Sequence, residues 1–346
     1  MIKRIEISNY TVFEKASFEF LQGLNIIVGE NSTGKSLILK LAYSCAATSH
    51  SMGLSKRQGK EEWQRSLADK LQEVCKPDSL GRLVSRRPGR SRCDIDFRTY
   101  KPVGSSFSFN FATNASTEVK IEKAPTDYLG SKPVFIPTKE VLSVYPGFAA
   151  ILRAHQLQFD ETYLDLAEAV ELPVLKRLQK EEEPLKVALE KVMDGRVGME
   201  NGRFYLFPNA EGKGKIEMPL VAEGIRKIAL LTYLVMNGGL RNKSMLFWDE
   251  PEVNLNPRLM RPLAAALVDM ADRGIQVVLA THSLAMIKEI EIARRSKEAP
   301  SPARYFALFR TKDGIEVNQG ESAEAVAPIA SLEAELDLAG RYLELG

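Results

Sequence analysis

The stretch Gly29-Glu30-Asn31-Ser32-Thr33-Gly34-Lys35-Ser36 has two glycines five positions apart, followed by a lysine and a hydroxyl. This is the spacing of a phosphate-binding loop. The preceding run Leu24-Asn25-Ile26-Ile27-Val28 is apolar and β-branched, which predicts a buried strand, and a helix is predicted from Lys35 to about Ala47. A loop that joins a strand to a helix N-terminus aims several backbone N–H groups at one point. The sequence therefore predicts a nucleotide site here.

Each residue type in this loop has a predicted role. Lys35 is expected to act in catalysis by placing its charge between the phosphates, and Ser36 is expected to offer its hydroxyl to Mg2+. ATP and Mg2+ are therefore the predicted cofactors. The predicted nucleotide contacts are Gly29, Asn31, Ser32, Thr33, Gly34, Lys35, Ser36 and Leu37.

Composition excludes several classes of protein. The chain has 346 residues, of which 45% are hydrophobic and 27% charged, as is ordinary for a soluble globular protein. The formal net charge of +2 creates no whole-molecule field, so a nucleic-acid surface would have to be a local patch. Three cysteines without paired spacing predict neither a disulfide framework nor a zinc site. No apolar run is long enough to span a bilayer, so we expect a cytoplasmic protein without a membrane partner.

The N-terminal residues 2–28 predict two antiparallel strands around a turn at 9–12, and then the strand that enters the phosphate loop. Two aromatic residues of this turn, Tyr10 and Phe13, allow two interpretations. They either flank an adenine ring or pack within the turn.

Residues 49–218 have a different pattern from the residues on either side. Antiparallel strands are predicted within about 90–136, helices within about 141–192 and a hairpin with a third strand within about 196–218. We interpret 49–218 as an inserted α/β lobe. Residues 1–48 and 219–346 then form the nucleotide-binding core.

A basic cluster lies within this lobe, around a Pro-Gly turn. Such a cluster could track the phosphate backbone of DNA. The alternative is a solvated hairpin tip, because no aromatic residue interleaves the arginines. The members predicted to contact DNA are Arg82, Arg86, Arg87, Arg90 and Arg92.

The second half of the predicted site begins at Met245-Leu246-Phe247-Trp248-Asp249-Glu250, a hydrophobic strand that ends in two carboxylates. Side chains at the carboxyl ends of parallel strands meet at one edge of a sheet, here beside the phosphate loop. We expect Asp249 to hold Mg2+, directly or through water, and Glu250 to polarise the water that attacks the γ-phosphate. His282 follows the next apolar strand and is expected either to contact the γ-phosphate or to serve as a polar cap.

Four motifs in this order resemble those of ABC-type ATPases. Residues 29–36 resemble the Walker A motif, 249–252 the Walker B motif, 254–257 the D-loop, and 280–283 the switch histidine segment. The opening, residues 9–36, is most similar to the SMC, recombination-repair and OLD (overcoming lysogenisation defect) branch. The resemblance implies an α/β fold, an ABC-ATPase head with a mixed sheet around the P-loop and N-terminal antiparallel strands, here with an inserted lobe. It also implies two heads that bind ATP between them.

The resemblance implies a signature motif that caps the nucleotide of a second copy. Its candidate is residues 220–227, in which Gly224 and Arg226 are expected to contact the nucleotide. Ala222 stands where the family has a serine. Residues 138–140 occupy the place of the family's Q-loop and contain no glutamine.

The biological role also follows from the resemblance. Compact stand-alone ATPases of bacterial defence modules are similar, which implies an ATP-driven switch that acts on a separately encoded nuclease or toxin. Two alternatives stay open. One is a repair or damage-sensing ATPase that binds DNA through the arginine cluster, and the other is a scaffold that binds ATP without hydrolysing it.

Overall fold

A computed structural model describes most of the chain. Arg87, one of the clustered arginines, lies outside the described residues, as do 327–339 and 343–346 of the predicted core. The described residues are 1–56, 58–86, 89–145, 147–155, 159–212, 214–312, 314–326 and 340–342.

Fourteen strands and eight α-helices lie within these ranges. None of the helices in the described parts of the chain combines the length and the hydropathy needed to cross a bilayer. The strands are β1 Ile2–Tyr10, β2 Phe13–Glu19, β3 Leu24–Gly29, β4 Arg92–Thr99, β5 Phe107–Ala112, β6 Lys120–Lys123, β7 Val134–Ile136, β8 Gly195–Glu200, β9 Arg203–Pro208, β10 Ile216–Glu217, β11 Met245–Asp249, β12 Gln276–Thr281, β13 Ala303–Thr311 and β14 Gly314–Gly320. The α-helices are α1 Lys35–Leu54, α2 Lys60–Cys75, α3 Phe148–His155, α4 Glu161–Glu171, α5 Glu183–Met193, α6 Glu223–Met236, α7 Pro257–Asp272 and α8 Leu284–Arg295.

The central sheet has the order β14-β13-β3-β12-β11-β7. Its strands β13, β3, β12, β11 and β7 run parallel, and β14 is an antiparallel edge. The parallel strands are buried on both faces, which explains why β3, β11 and β12 are nearly continuous apolar runs.

Two hydrophobic cores lie on opposite faces of this sheet, and successive residues of each strand point alternately into one or the other. Trp248 and Leu279 pack in the core that includes α6 and α7. Phe247 and Val278 pack in the core that includes α1 and an antiparallel sheet. Both faces of the central sheet are therefore covered by hydrophobic cores, and the carboxyl ends of its strands are accessible for a site.

The antiparallel sheet has the order β2-β1-β4-β5-β6. The antiparallel strands predicted on the N-terminal side of the phosphate loop are confirmed. Within 90–136, β4, β5 and β6 are antiparallel as predicted, but β7 is wrong in this respect because it runs parallel to β11. Because β1 pairs with both β2 and β4, strands from the predicted core and the predicted lobe share one sheet. In the central sheet, β7 likewise pairs with β11. The division of the chain into a core and an inserted lobe stays a prediction.

The rest of the chain between β7 and α6 forms the predicted helices and hairpin. Pro184 lies in the first turn of α5, where its missing N–H costs no helical hydrogen bond. The hairpin β8–β9 turns at Asn201 and Gly202, both with positive φ, as a tight two-residue turn requires.

The two turn aromatics pack inside the protein. Tyr10 and Phe13 are both fully buried. The Phe13 ring meets the Phe18 ring edge-on, with centroids 5.9 Å apart, and Tyr10 Oη lies 3.7 Å from Cys75 Sγ. The interpretation of these residues as packing residues is confirmed, and a role in flanking an adenine ring is wrong because neither ring reaches the surface.

Candidate nucleotide site

The N-terminus of α1 is open to an anion. Gly34 precedes the helix with a φ of 95°, Ser32 has a φ of 65°, and no side chain caps the helix. The first turn contains no acidic residue. The first N–H groups of a helix have no partner within the helix, so an uncapped N-terminus can receive a phosphate.

Close packing explains both glycines of the loop. A Cβ at Gly29 would lie 2.6 Å from the Leu308 carbonyl oxygen, and one at Gly34 would lie 2.8 Å from Phe13 Cζ. Thr33 adds a further restraint, because its hydroxyl donates to the Glu30 carbonyl at 2.8 Å. The loop is therefore shaped by β13, by the β1–β2 turn and by its own threonine.

Lys35 is held inside the loop. Its Nζ donates to the carbonyl oxygens of Gly29 and Glu30, each at 2.9 Å. Burial lowers the pKa of Lys35, and the charges of Glu250 and Asp249 act in the opposite direction. The ammonium group is thus close to both carboxylates of the second half of the site.

The central sheet brings the two halves of the predicted site together. In the parallel register Val28 lies opposite Thr281, and Ala280 lies opposite Asp249. The ends of β3, β12 and β11 therefore form one edge. Ser36, Asp249, Glu250 and His282 meet at this edge, as the sequence predicts.

Asp249 and Ser36 fit a divalent cation. Burial raises the pKa of Asp249 to about 6, while a hydrogen bond to Ser36 and the charges of Lys40 and Lys35 act in the opposite direction. Asp249 Oδ1 is buried and has no hydrogen-bond partner among the residues that the structure describes. A buried carboxylate oxygen without a partner, beside a hydroxyl, is a suitable donor set for Mg2+.

Glu250 and His282 form the exposed part of the site. Glu250 Oε1 lies 3.1 Å from His282 Nδ1, and the Glu250 N–H donates to the Ala280 carbonyl at 2.8 Å. Glu250 has a φ of 50°, a conformation that is uncommon for a residue with a side chain. Its side chain is 25% exposed, so its carboxylate can reach a water molecule, as a general base must.

Glu252 is a residue of the site whose role the sequence did not indicate. Its Oε1 accepts hydrogen bonds from the Thr281 hydroxyl at 2.5 Å and from the His282 N–H at 3.3 Å. The side chain is almost fully buried. Glu252 therefore fixes the segment that carries His282, through partners about thirty positions away in the chain.

The start of α6, the candidate signature, packs against α7. A Cβ at Gly224 would lie 2.8 Å from Leu259 Cδ1. Arg226 Nε lies 2.7 Å from Glu140 Oε1, and Glu140 belongs to the segment at the Q-loop position. The Arg226 guanidinium also donates, through Nη1, to the Val221 carbonyl. Lys227 donates to the carbonyl of Val253, which immediately precedes the D-loop, at 2.5 Å, and burial lowers the pKa of Lys227. A contact between Gly224 or Arg226 and a nucleotide stays a prediction.

The basic cluster is spread over one surface. Arg82 and Arg86 are exposed and line two adjoining depressions of about 490 and 560 Å³. Arg90 is also exposed. Arg92 lies on β4 and forms an ion pair with Asp94 at 2.8 Å. A hydrogen bond from the Thr11 N–H to the Leu83 carbonyl fixes this region to the β1–β2 turn, which packs on the phosphate loop.

Fold and site together define a P-loop head of the ABC-ATPase type, with an antiparallel N-terminal sheet and a mixed central sheet. The family described as "AAA domain, putative AbiEii toxin, Type IV TA system" matches residues 24–288. This is most of the chain, and the protein belongs to that family.

Two relatives share a short segment with the chain. It is 36% identical over 58 residues to the DNA replication and repair protein RecF of Lachnoclostridium phytofermentans, which is 17% of this chain and 16% of that protein. It is 38% identical over 68 residues to RecF of Clostridium beijerinckii, covering 19% of this chain and 18% of that protein. The chain therefore matches less than a fifth of the length of either relative.

Solved structures match over nearly the whole chain. An SmcHead bound to the C-winged helix domain of ScpA matches with a TM-score of 0.58 at 13% identity, covering 94% of this chain and 99% of that one. The Smc head domain with an extended coiled coil, bound to the C-terminal domain of ScpA derived from Pyrococcus furiosus, matches with a TM-score of 0.57 at 11% identity and covers 99% of both. At these identities the likeness concerns the fold.

Proposed function

We propose that this protein is a Mg2+-dependent ATPase whose heads pair around ATP, as a switch for a separately encoded nuclease or toxin. One observation supports the proposed ATPase activity. The open N-terminus of α1, the unpartnered Asp249 oxygen and the Glu250–His282 pair lie at one edge of the central sheet. Family membership supports the defence role, since its description names a toxin and a toxin–antitoxin system.

The residues divide the chemistry between them. The α1 N-terminus and Lys35 bind the phosphates, Ser36 and Asp249 hold Mg2+, and bound Mg2+ neutralises the phosphate charge. Glu250 orients the attacking water and accepts its proton. His282 donates to the γ-phosphate, and Glu252 holds the His282 main chain in place.

Pairing of two heads explains why α6 carries a glycine at its start. Gly224 and Arg226 then cap the nucleotide of the second copy, once Arg226 leaves Glu140. The Arg226–Glu140 pair and the Lys227–Val253 contact join the signature to the Q-loop position and to the residue before the D-loop within one chain. A head that binds the partner's nucleotide therefore also moves groups near its own catalytic base.

Substitution of the base tests the proposal. We expect Glu250→Gln to lower phosphate release at saturating ATP by about 100-fold or more, because the amide cannot accept a proton. ATP binding persists, and size-exclusion chromatography with light scattering shows a dimer that depends on Mg2+ and ATP. Glu316→Gln, at an exposed position on β14, is the matched control and retains the parent rate.

Two results would contradict the assignment. Glu250→Gln with the parent rate of hydrolysis rules out this base. A parent protein that binds ATP and releases no phosphate supports the scaffold alternative instead.

The exposed arginines favour a second function, DNA binding by a repair or damage-sensing ATPase. Arg82 and Arg86 line adjoining depressions beside the turn that packs on the phosphate loop. On this alternative, replacing both with alanine weakens binding to duplex DNA. It also lowers the slope of log affinity against log salt concentration by the amount expected for about two lost phosphate contacts. Arg92→Ala has a smaller effect, since Asp94 already pairs with Arg92. Fluorescence anisotropy at several salt concentrations measures both effects, and equal affinities for all variants would exclude this surface.

A further inference from the structure

Lys40 joins the phosphate-loop helix to a helix of the predicted lobe. It lies four residues after Ser36 on α1, on the same helix face. Its Nζ lies 2.8 Å from Asp160 Oδ2, and the two side chains are only 19% and 17% exposed. Asp160 is the N-cap of α4, where its Oδ1 accepts a hydrogen bond from the Thr162 N–H at 3.1 Å. One ion pair therefore links the helix that carries Ser36 to the first turn of α4.

A second lysine holds the same helix further along. Asp165 Oδ2 accepts hydrogen bonds from Tyr43 Oη and Lys70 Nζ, both at 2.6 Å, and Lys70 also lies 3.0 Å from Glu161. Carboxylates thus outnumber the lysines between α1, α2 and α4. The α4 helix is held by charge as well as by packing.

Lys40 differs from Lys70 in that it lies one helical turn after Ser36, the predicted hydroxyl ligand of the metal site. Its positive charge lowers the pKa of Asp249. The charge of Asp249 in turn raises the pKa of Tyr163, on α4, although burial is the larger cause. Asp160 and Tyr163 both lie at the start of α4, and Lys40 holds this end of the helix through Asp160.

We propose that Lys40 is a positioning residue that couples occupation of the Asp249–Ser36 site to the docking of α4. Lys40 pairs directly with Asp160, and its charge also favours the ionised form of Asp249 at longer range. Once a divalent cation neutralises Asp249, like-charge repulsion leaves Asp160 as the favourable partner of Lys40, and the Lys40–Asp160 pair tightens. This inference rests on the proposed magnesium–ATP site.

Hydrogen exchange of the full-length protein tests the coupling. Exchange is followed with a non-hydrolysable ATP analogue, once in EDTA and once in Mg2+, in peptides that cover the phosphate loop and α4. In the parent protein Mg2+ slows exchange in α4 by about fivefold, equivalent to about 1 kcal/mol of local stability. In Lys40→Met the phosphate loop remains protected by the analogue, and the Mg2+-dependent protection of α4 is lost. Asp160→Asn gives the same result.

Lys70→Met is the matched control, since Lys70 holds the same helix through other carboxylates. It raises exchange in α4 in both conditions and retains the fivefold effect of Mg2+. If Lys40→Met retains this effect, or if the parent protein lacks it, the coupling is overturned.

Equilibrium binding of a fluorescent ATP analogue, with and without Mg2+, separates this failure from a failure of the proposed function. Parent protein that binds the analogue without Mg2+-dependent protection of α4 refutes the coupling alone. Parent protein that binds no analogue in either condition refutes the ATP site, and the coupling with it.

Discussion

The N-termini of α1 and α6 are the two helix starts expected to face phosphates, and they differ in how their glycine and basic residues are held. Neither has a side-chain cap, and at α1 Lys35 donates to two carbonyls of its own loop. At α6, Gly224 lies beneath leucine side chains and Arg226 is paired with Glu140. The two helix starts therefore differ in the groups around the glycine, which are apolar side chains and an ion pair at α6 and a main-chain loop at α1.

The difference concerns stability as well as access. The α1 end keeps an unpaired buried carboxylate oxygen on Asp249 and a left-handed Glu250, both of which cost stability. At the α6 end, Arg226 forms an ion pair with Glu140, and Lys227 donates to main-chain carbonyls. The predictions below follow from this contrast.

The largest expected effect is at the α6 end. Glu140→Gln leaves the poorly exposed Arg226 charge without its carboxylate, and we expect it to lower the free energy of unfolding by about 3 to 5 kcal/mol. Arg226→Met destabilises similarly, and the double variant costs less than the sum because no charge is left alone. Urea unfolding of the four proteins measures the cycle. The exposed Arg65–Glu118 pair, at 2.8 Å, is the control, and its removal costs less than about 1 kcal/mol. Equal losses of unfolding free energy at the Arg226–Glu140 and Arg65–Glu118 pairs would contradict a special cost at the α6 end.

At the α1 end we expect a substitution that stabilises the protein. The pKa of Asp249 is raised from 3.8 to about 6, so between these values the folded protein keeps a proton that the unfolded chain releases. The contribution of this group to stability is therefore complete below about pH 4 and is lost as the pH rises through about 6. In EDTA at pH 7, Asp249→Asn raises the free energy of unfolding by up to about 3 kcal/mol, and it abolishes stabilisation by Mg2+. Thermal unfolding from pH 4 to pH 7 checks this, and an unchanged Tm at pH 7 would contradict it.

The two glycines give the smallest and most direct comparison. Gly34→Ala places a Cβ at a φ of 95° and 2.8 Å from the Phe13 ring, so we expect a loss of about 2 kcal/mol and weaker nucleotide binding. Gly224→Ala is helical and meets the flexible ends of Leu259 and Leu255, and it gains helix propensity. Its net effect is within about 0.5 kcal/mol. Thermal unfolding and analogue binding of both variants measure the difference, and a larger loss at Gly224 would show that the α6 end is the more constrained.

The main elements of the nucleotide site were predictable because their signals are local. Lys35 and Ser36 follow one apolar β-branched run, and Asp249 and His282 end two others, which allows strands and their carboxyl ends to be recognised from the sequence. Parallel pairing of these strands then brings the residues together without any specific side-chain contact.

The supporting contacts were not predictable because each joins distant parts of the chain. Glu252 holds a hydroxyl 29 residues away, and Lys40 pairs with a carboxylate 120 residues away. No periodicity or motif reports such a pair. The aromatic Tyr10 was ambiguous for the same reason, since its burial depends on tertiary packing that its own turn does not specify. The strands β4 to β6 were recognised individually, but their pairing with β1 required the fold.

The position of β3 in the central sheet has a consequence for synthesis of the protein. Both of its neighbours, β12 and β13, come from the last quarter of the chain. While the ribosome makes the intervening residues, the strand before the phosphate loop has apolar faces and unpaired edges, the features that chaperones recognise and that cause aggregation. Assembly of the predicted nucleotide site must therefore wait until β12 and β13 have been synthesised, more than 240 residues after β3.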